Sequence, residues 1–435
     1  MVDIAQDKAE SASAGLQTPP GPIVGPDGAK RCFLLLGGPF GPFFRQLAGV
    51  LEGRGARVLR VNLHAADAVN WGFRRARRFN RPHGEWPAWL TRYMIDNGVT
   101  DLVVYGDCQF YNRAALSAAG SLSVRRHVFE LGYFRPDWVT YEQDGVNAHS
   151  SLPRTAAAIL GEAAATESRA HEKVGAIMPW HVAHAVIDSF SDVLGGAAFL
   201  HHHSPYLHSP LAQALGTVAR VLRVQLERGG QQRQIVALHR QALPYYLCLL
   251  QREGDSQILF HSPFDSVAGF YEAVMRDFAR HAPAGTLLVF KNHPLDPGLY
   301  NHGRRIFRLA RELNIAERVR FFDGGNLAEL ARPARGVITI NSTAGISAVQ
   351  FGVPTIALGD AIYDVPGLTH QGGLGAFWRD AERPDPALFR AFHRLVLART
   401  QINGNYYSPR GRRIALDDCA ERLMAAPASQ TRLAG

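Results

Sequence analysis

The sequence contains no uninterrupted apolar run of the ~18 residues that a membrane-spanning helix requires. Its first thirty residues also lack the basic segment and apolar segment of an export signal. Only four cysteines occur, at 32, 108, 248 and 419, and no two of them form a C-x-x-C pair. This scarcity argues against a disulfide scaffold and against a structural zinc site. We therefore expect a cytoplasmic protein that neither spans a membrane nor is exported.

Length, composition and charge indicate a folded protein of two domains with anionic partners. The chain has 435 residues, of which 46% are hydrophobic and 20% are charged, which is typical of globular proteins. Lysine and arginine exceed aspartate and glutamate by nine charges. A basic excess of this size favours partners that carry phosphate or carboxylate groups.

The hydrophobic pattern divides the chain into two alternating strand and helix series. Buried-type strands at 32–38, 56–63, 101–107 and 125–131 alternate with helical segments and predict an N-terminal Rossmann-like domain with a parallel sheet over 30–154. Strands at 243–251, 286–291, 318–322, 336–340 and 354–358 predict a second such domain over 241–395. Residues 155–240 are helical in period and read as an insertion, residues 396–422 as a C-terminal helix that packs back, and residues 1–29 and 423–435 as flexible tails. The predicted fold class is α/β, with the two domains facing a cleft.

Ligands of two such domains bind in the cleft beyond the carboxyl ends of the strands, so the polar side chains at those ends are the candidate site. Lys291 and His293 follow one strand of the second domain and could neutralise a phosphate, with the histidine able to donate a proton at neutral pH. Asn341, Ser342 and Thr343 follow another strand and begin a helix, an arrangement that favours a nucleotide phosphate. Capped turns without a ligand are the alternative at both places.

A third group of polar residues follows the strand that opens the second domain. Asp255 lies between the amides of Gln251 and Gln257, where a carboxylate could act as nucleophile or base while the amides orient a polyhydroxylated ligand. A solvated D-S-Q turn is the alternative on spacing alone.

The first domain carries a run of acids, amides and aromatics over 105–113 and 129–154. Such a run is typical of an acceptor site for a sugar or a headgroup, although Gly-Tyr and Arg-Pro turns could equally serve only to shape the loop. The candidate acceptor residues are Asp107, Glu130, Arg135, Glu142 and Asn147.

An arginine-rich segment interleaved with aromatics lies between 71 and 89. Arginines beside an apolar boundary suit a layer of anionic lipid headgroups, and the candidate lipid surface comprises Arg74, Arg75, Arg77, Arg78 and Trp86. A solvated face is the alternative, and no nucleic-acid-binding motif accompanies the arginines. The histidines at 201, 202, 203 and 208 predict no metal site, because three adjacent histidines cannot all face one ion.

Eight motifs taken in order resemble a known family. They are GGPFGPFF (37–44), YGDC (105–108), ELGYFRPDWVTYE (130–142), GVN (145–147), DSQI (255–258), KNHPLD (291–296), INSTAG (340–345) and GLTHQG (367–372). Together they resemble the bacterial capsule polysaccharide biosynthesis proteins of the KpsS (LipB) type, relatives of the KpsC proteins, over about residues 31–407.

The resemblance implies a retaining β-Kdo glycosyltransferase of GT-B-like shape that uses CMP-β-Kdo as donor and needs no metal or other cofactor. It implies a lysophosphatidylglycerol acceptor, capsule export machinery as partner, and a peripheral place at the inner face of the cytoplasmic membrane. The acidic motif of the family falls on Asp255, as nucleophile or catalytic carboxylate, and His293 with Lys291 would hold the CMP phosphate, assisted by Ser342 and Thr343. Retention of configuration needs either a double displacement, with Asp255 as nucleophile, or departure and attack on one face within an ion pair. If Glu130 faces the cleft, it could deprotonate the acceptor hydroxyl.

Two rival functions remain open on the sequence. A nucleotide-sugar epimerase of the same two-domain shape would also use a phosphate cradle and carboxylates. A non-catalytic capsule assembly or export adaptor would need the arginine-rich segment but neither Asp255 nor His293.

Overall fold

A computed structural model describes residues 31–167, 171–202, 210–294 and 296–425. Residues 1–29, 426–435, His203 and His208 lie outside the described residues. The predictions of an N-terminal tail, of most of a C-terminal tail and of part of the histidine cluster fall there.

Twelve strands within the described residues form two sheets. The first sheet has seven strands in the order β12-β6-β5-β4-β1-β2-β3, and the second has five in the order β11-β10-β7-β8-β9. The strands are β1 (Cys32–Leu36), β2 (Arg57–Asn62), β3 (Arg77–Arg78), β4 (Asp101–Tyr105), β5 (Arg125–Leu131), β6 (Trp138–Gln143), β7 (Tyr245–Leu249), β8 (Leu287–Lys291), β9 (Val319–Phe322), β10 (Gly336–Thr339), β11 (Thr355–Ala357) and β12 (Gln401–Asn403).

Fifteen α-helices accompany these strands in the described ranges. They are α1 (Phe43–Gly53), α2 (Ala65–Asn70), α3 (Trp86–Asp96), α4 (Phe110–Ser121), α5 (Ala156–Ala164), α6 (Met178–Gly195), α7 (Pro210–Arg240), α8 (Ser256–His261), α9 (Val267–His281), α10 (His302–Glu312), α11 (Leu327–Ala331), α12 (Thr343–Gln350), α13 (Gly373–Asp380), α14 (Pro386–Thr400) and α15 (Pro409–Met424).

The first sheet is covered on both faces, as its continuous apolar strands require. All five residues of β1 are buried. Phe33 and Leu35 pack in one core with α1 and α15, whereas Leu34 and Leu36 pack in another with α3 and α4. Each such side chain contributes about 1.5–3 kcal/mol when it leaves water. Because alternate residues of β1 enter two different cores, helices cover both faces of the sheet. This confirms the predicted α/β fold class.

The four predicted strands of the first sheet pair in parallel as expected, but the sheet also contains two antiparallel strands that the sequence did not predict. Strands β1 to β5 pair in parallel, but β6 pairs antiparallel with β5, and β12 pairs antiparallel with β6. Residues 138–143 thus form a buried strand inside the segment that the sequence suggested as acceptor loop. The Gln401 amide helps to hold this edge because it donates to the Thr140 hydroxyl at 3.0 Å.

The second sheet is parallel throughout and has its own core of aromatic and aliphatic side chains. No strand occurs among the described residues of 155–240. Helix α6 packs on α2 and α7, and the end of α7 enters the second domain, where Ile235 and Leu238 are buried beside Tyr245. After α14 the chain returns to the first domain, where α15 packs on α1.

Candidate functional site

A cavity of about 900 Å³ lies between the two domains at the carboxyl ends of β5, β7, β8 and β10. A second recess of about 610 Å³ shares part of its wall and also contains Lys291. Most of the candidate residues therefore lie together, as the switch-point rule predicts. Those on the wall of the larger cavity are Glu130, Arg135, Asn147, Gln251, Asp255, Gln257, His293, Asn341, Ser342 and Thr343.

Asp255 enters the cavity at the start of α8. Gly254 has φ +76°, a left-handed conformation that glycine adopts without steric penalty, and the turn it allows places Asp255 as the N-cap. The Oδ1 atom accepts a hydrogen bond from the Gln257 N–H at 2.9 Å. Burial raises the pKa of this carboxyl, while the Gln257 hydrogen bond and the cations Arg252 and Arg135 oppose that rise.

Gln251 and Asn341 hold this carboxylate in place through α8. The Gln251 amide donates to Asn341 Oδ1 at 3.0 Å, and the Asn341 main-chain N–H donates back to Gln251 Oε1 at 3.1 Å. Asn341 Nδ2 donates to the main-chain oxygens of Gln257 at 2.9 Å and His261 at 3.2 Å. The sequence predicted that Asn341 binds a phosphate. In the structure its side-chain amide instead donates to the main chain of α8 and holds the helix that carries Asp255.

Glu130 is the second carboxylate of the cavity and ends β5. Burial raises its pKa to about 7, and the negative charges of Asp107 and Asp255 act in the same direction. Its Oε1 atom accepts from the Leu131 N–H at 2.8 Å. A carboxyl group with a pKa near 7 is suited to take and return a proton at neutral pH.

Lys291 and His293 end β8 at the recess. Burial, and after it the positive charge of nearby Arg220, lowers the pKa of Lys291 to about 8. Burial likewise lowers the pKa of His293 to about 3, assisted by the positive charges of Arg135 and Lys291. A pKa this low leaves the His293 imidazole neutral in the ligand-free protein, which does not favour the expected proton donation at neutral pH. The ring is suited to bind an anion as a neutral hydrogen-bond donor.

The turn that carries these two side chains is supported from α7. Arg220 forms an ion pair with Asp323 at 3.0 Å and donates to the main-chain oxygens of Pro294 at 2.9 Å and Asp296 at 2.7 Å. Asn292 donates to the same Asp323 at 2.7 Å. Sequence reasoning missed Arg220, because nothing in the helical segment distinguishes it from its neighbouring arginines.

Ser342 and Thr343 form the start of α12 at the cavity wall. Ser342 is the N-cap, and its Oγ atom accepts from the Ala344 N–H at 3.2 Å. Tyr363 donates to the Ser342 main-chain oxygen at 2.7 Å, and a Cβ at Gly345 would lie 2.2 Å from the Tyr363 hydroxyl oxygen. The close packing explains the glycine, and the N-terminus of an eight-residue helix provides the partial positive charge that favours a phosphate.

Two predicted acceptor residues do not line the cavity. Asp107 accepts from the Val146 N–H and the His149 ring, each at 3.0 Å, and Glu142 on β6 accepts from the hydroxyls of Tyr133 at 3.0 Å and Ser150 at 2.5 Å. Both carboxylates are buried and lie outside the walls of the two cavities, so the structure does not support the acceptor role expected for them. Their bonds shape the loop that carries Asn147 into the cavity.

A cluster of charged residues at the other end of the cavity was missed. Arg60 pairs with Asp67 at 2.6 Å, and His64 pairs with Asp192 of α6 at 2.9 Å. Although burial opposes it, the carboxylates of Asp67 and Asp192 raise the pKa of His64 to about 9, whereas burial raises the pKa of Asp188 to about 7. No motif marks this cluster, because it joins the end of β2 to a distant helix.

The structure corrects the aromatic half of the predicted lipid surface. Trp86 is fully buried, and its indole N–H donates to the Tyr111 main-chain oxygen at 2.9 Å. Arg75, Arg77 and Arg78 are exposed, and Arg74 pairs with Glu52 at 2.7 Å. In the described part of the chain, no helix combines the length and apolar character needed to cross a membrane.

One group of metal-type ligands occurs among the described residues. Donor atoms of Asp107, Cys108 and His261 all lie within 4.8 Å of one another, but they already contact each other, with Cys108 Sγ 2.8 Å from His261 Nε2 and 3.0 Å from Asp107 Oδ1. His201 is exposed, and His202 stacks on Tyr111 with the ring centres 5.7 Å apart.

Comparison with known proteins gives both a family and individual relatives. The family described as "Capsule polysaccharide biosynthesis protein" matches residues 100–407. The chain is 34% identical over 388 residues to the capsule polysaccharide export protein KpsS of Escherichia coli, covering 86% of this chain and 96% of that protein. It is also 34% identical over 384 residues to the capsule polysaccharide modification protein LipB of Neisseria meningitidis serogroup A, covering 86% and 91%.

Among solved structures, similarity is found to the Thermosulfurimonas dismutans KpsC, a beta Kdo 2,7 transferase. The TM-score is 0.42 and the identity 14%, with 90% of this chain and 98% of that chain covered.

Proposed function

This chain belongs to the capsule polysaccharide biosynthesis protein family, and we propose that it is a retaining glycosyltransferase. The donor is CMP-β-Kdo and the acceptor a lysophosphatidylglycerol-type lipid, on which the transferred sugar starts the linker of the capsule lipid. One observation carries the proposal: Asp255 and Glu130 line the same cavity from opposite domains, beside the N-terminus of α12 and a recess lined by Lys291.

The donor fits the side of the cavity formed by the second domain. The phosphate of the CMP group lies at the N-terminus of α12, where Ser342 and Thr343 line both cavities. The charge of Lys291 offsets the charge that develops on the phosphate as the nucleotide departs, and the neutral His293 ring donates a hydrogen bond to it. Arg135, which also lines both cavities, is placed to bind the carboxylate of an acidic sugar.

The first chemical step forms a covalent sugar–enzyme intermediate. An oxygen of the ionised Asp255 attacks the anomeric carbon C2 of the sugar, and the bond between C2 and the phosphate oxygen breaks. CMP leaves with the electron pair of that bond. The opposing effects of burial and of Arg252 and Arg135 keep the carboxyl both ionisable and poorly solvated.

The second step transfers the sugar to the acceptor. Glu130 takes the proton of the acceptor hydroxyl, whose oxygen attacks C2 from the face that CMP vacated. The bond between C2 and Asp255 breaks, and the carboxylate is regenerated. Two inversions at C2 restore the β configuration, and neither step requires a metal or another cofactor.

The acceptor and its membrane belong to the same proposal. A lysophospholipid resides at the inner face of the cytoplasmic membrane, so the protein works there as a peripheral protein beside the capsule assembly and export machinery. The excess of nine basic residues favours such an anionic surface.

The test combines purified protein, CMP-Kdo generated in situ and a fluorescent lysophosphatidylglycerol, with Asp255→Ala as control. We expect the acceptor to gain the mass of one Kdo residue, with or without EDTA, and the variant to form no product. Hydrolysis of CMP-Kdo without transfer would contradict the acceptor, and an isomerised nucleotide sugar would indicate an epimerase. A third outcome would indicate an adaptor. The wild type would then neither form product nor hydrolyse CMP-Kdo, and variants at Asp255 and His293 would still support capsule formation.

A further inference from the structure

Helix α6 exposes apolar residues to solvent and keeps its polar ones buried or half-buried, which is the reverse of a surface helix in a soluble protein. Every exposed residue of α6 is apolar, whereas its histidines and aspartates are buried or half-buried. Trp180, Ala183, Ile187, Phe190 and Leu194 recur at the spacing of one helical face, and Leu194 is 82% exposed. A surface helix of a soluble domain shows the opposite arrangement, so this face is built to meet an apolar partner.

Helix α7 extends the same surface. It packs against α6, and it exposes Leu215, Val218, Leu222 and Leu226 at the spacing of one helical face, with Leu226 87% exposed. We use the name α6–α7 apolar surface for the exposed apolar residues of these two helices.

The α6–α7 apolar surface continues into the catalytic cavity. Val218 and Leu222 of α7 are exposed and also line the cavity, where they are joined by Val182 and Val186 of α6. An aliphatic chain could therefore pass from the outside of the two helices to the cavity without leaving apolar contact.

A basic segment contacts the chain that follows α6. The segment after α6 is fixed to β3, because the guanidinium carbon of Arg78 lies 5.8 Å from the ring centre of Phe199. Leu200, the next residue, is 76% exposed. Arg75 and Arg77 are exposed on the same segment as Arg78. Exposed apolar side chains beside arginines match the apolar interior and the negative headgroups of an anionic bilayer.

We propose that the α6–α7 apolar surface, together with the segment of Arg75, Arg77 and Arg78 that contacts the chain after α6, is the membrane-docking surface of this protein, and that its occupant is a bilayer containing anionic phospholipid. The acyl chain of the acceptor passes between the two helices into the cavity. This second part rests on the proposed function, whereas bilayer binding does not. The exposed face of α6 carries no charged side chain, which favours a fluid lipid phase over a protein partner matched by ion pairs.

The experiment is vesicle cosedimentation with phosphatidylcholine vesicles that either contain or lack phosphatidylglycerol. The test variant is Phe190→Ser with Leu194→Ser, and the matched control is Ile95→Ser with Leu160→Ser, two exposed apolar residues on α3 and α5. All four positions are exposed, so the variants should fold. We expect the wild type and the control to bind vesicles containing phosphatidylglycerol, and the test variant to bind about tenfold or more weakly. Added salt should weaken wild-type binding.

A second readout separates docking from chemistry. Transfer of Kdo to glycerophosphoglycerol, which is the acceptor without its acyl chain, should be equal in the wild type and the test variant. Wild-type vesicle binding by the test variant would overturn the proposal. A second outcome would also overturn it: the wild type is a dimer, the test variant is a monomer, and the two bind vesicles equally. The surface would then be a subunit interface. Vesicle binding decides the docking surface even if the wild-type protein transfers no sugar.

Discussion

Asp255 and Glu130 reach one cavity from opposite domains, and the negative charge of Asp255 contributes to holding the pKa of Glu130 at about 7. Each carboxylate has a different support: Asp255 caps α8, whereas Glu130 ends β5. The pair therefore exists only when the two domains are assembled. Burial is the main cause of the raised pKa of Glu130, and the charge of Asp255 adds to it.

Substituting Asp255 by Asn should abolish transfer while leaving the fold intact. Asparagine still caps a helix but is a poor nucleophile, so we expect the transfer rate to fall by at least about 10³-fold. Asp385→Asn is the matched control, because Asp385 caps α14 in the same way, with its Oδ1 2.7 Å from the Ala387 N–H. Steady-state rates and melting temperatures of both variants check this. A loss of activity equal in both variants would assign Asp255 a purely structural role.

Glu130 should give the transfer rate a dependence on pH. Its base form predominates above a pKa of about 7, so the rate should rise with pH through that value and then level off. Glu130→Gln should lower the rate by about 10²–10⁴-fold and remove this rise. A rate profile of the variant parallel to that of the wild type would exclude Glu130 as the base.

The same substitution should stabilise the protein at high pH. The pKa of Glu130 is raised by folding, so the folded state holds its proton more tightly and loses stability as pH rises from its unfolded pKa toward 7. The melting temperature of Glu130→Gln relative to the wild type should therefore be higher at pH 8 than at pH 5. If the variant and the wild type differ in melting temperature by the same amount at both pH values, the pKa of Glu130 is not raised by folding.

Lys291 should make donor binding weaken at alkaline pH. Its pKa is lowered to about 8, so the ligand-free protein loses this positive charge as pH rises through that value. Calorimetric titration with CMP should show an affinity that falls above pH 8, and Lys291→Met should bind CMP more weakly with a flatter profile. An unchanged affinity in Lys291→Met would remove the lysine from the phosphate site.

Asp101 should be important for stability rather than for catalysis. It is fully buried, and its carboxylate accepts from Arg125 and His127 at 2.8 Å and from Arg31 at 3.0 Å. Although burial opposes them, these partners hold its pKa below the ordinary value. Asp101→Asn should lower the free energy of unfolding by about 1.5–3 kcal/mol at pH 7, because it removes the charge that the partly buried Arg31 and Arg125 bond to.

The effect of Asp101 should shrink in acid. A depressed carboxyl pKa gives stability above the unfolded pKa of about 3.9 and loses it as pH falls further toward the folded pKa. Urea unfolding at pH 7 and below pH 4 checks both statements. An equal loss at the two pH values would show that packing, and not charge, dominates at Asp101.

The sequence was most informative where buried strands end in polar residues. Continuous apolar runs such as Leu287–Lys291 predicted the second sheet closely, and parallel strands necessarily end at the same edge. Gln251, His293 and Asn341 were therefore placed together correctly without any knowledge of their contacts.

The failures have physical reasons in long-range contacts. Trp86 lies among arginines in the chain, and only the fold shows that it turns inward to the Tyr111 carbonyl. Glu142 occupies a buried strand because hydroxyl groups from two loops satisfy its oxygens, which no local pattern reveals. The exposed face of α6 was missed because helical periodicity shows an apolar stripe but not which way it faces.

The most direct test of the proposed chemistry is to trap the intermediate on Asp255. Glu130→Gln is incubated with CMP-Kdo in the absence of acceptor, digested with protease and examined by mass spectrometry. We predict that the peptide containing Asp255 gains the mass of one Kdo residue. Added azide should attack C2 and release the sugar as Kdo azide, so that the peptide loses this mass. Product formation by the wild type with no adduct, together with an active Asp255→Asn variant, would contradict the double displacement and the role of Asp255.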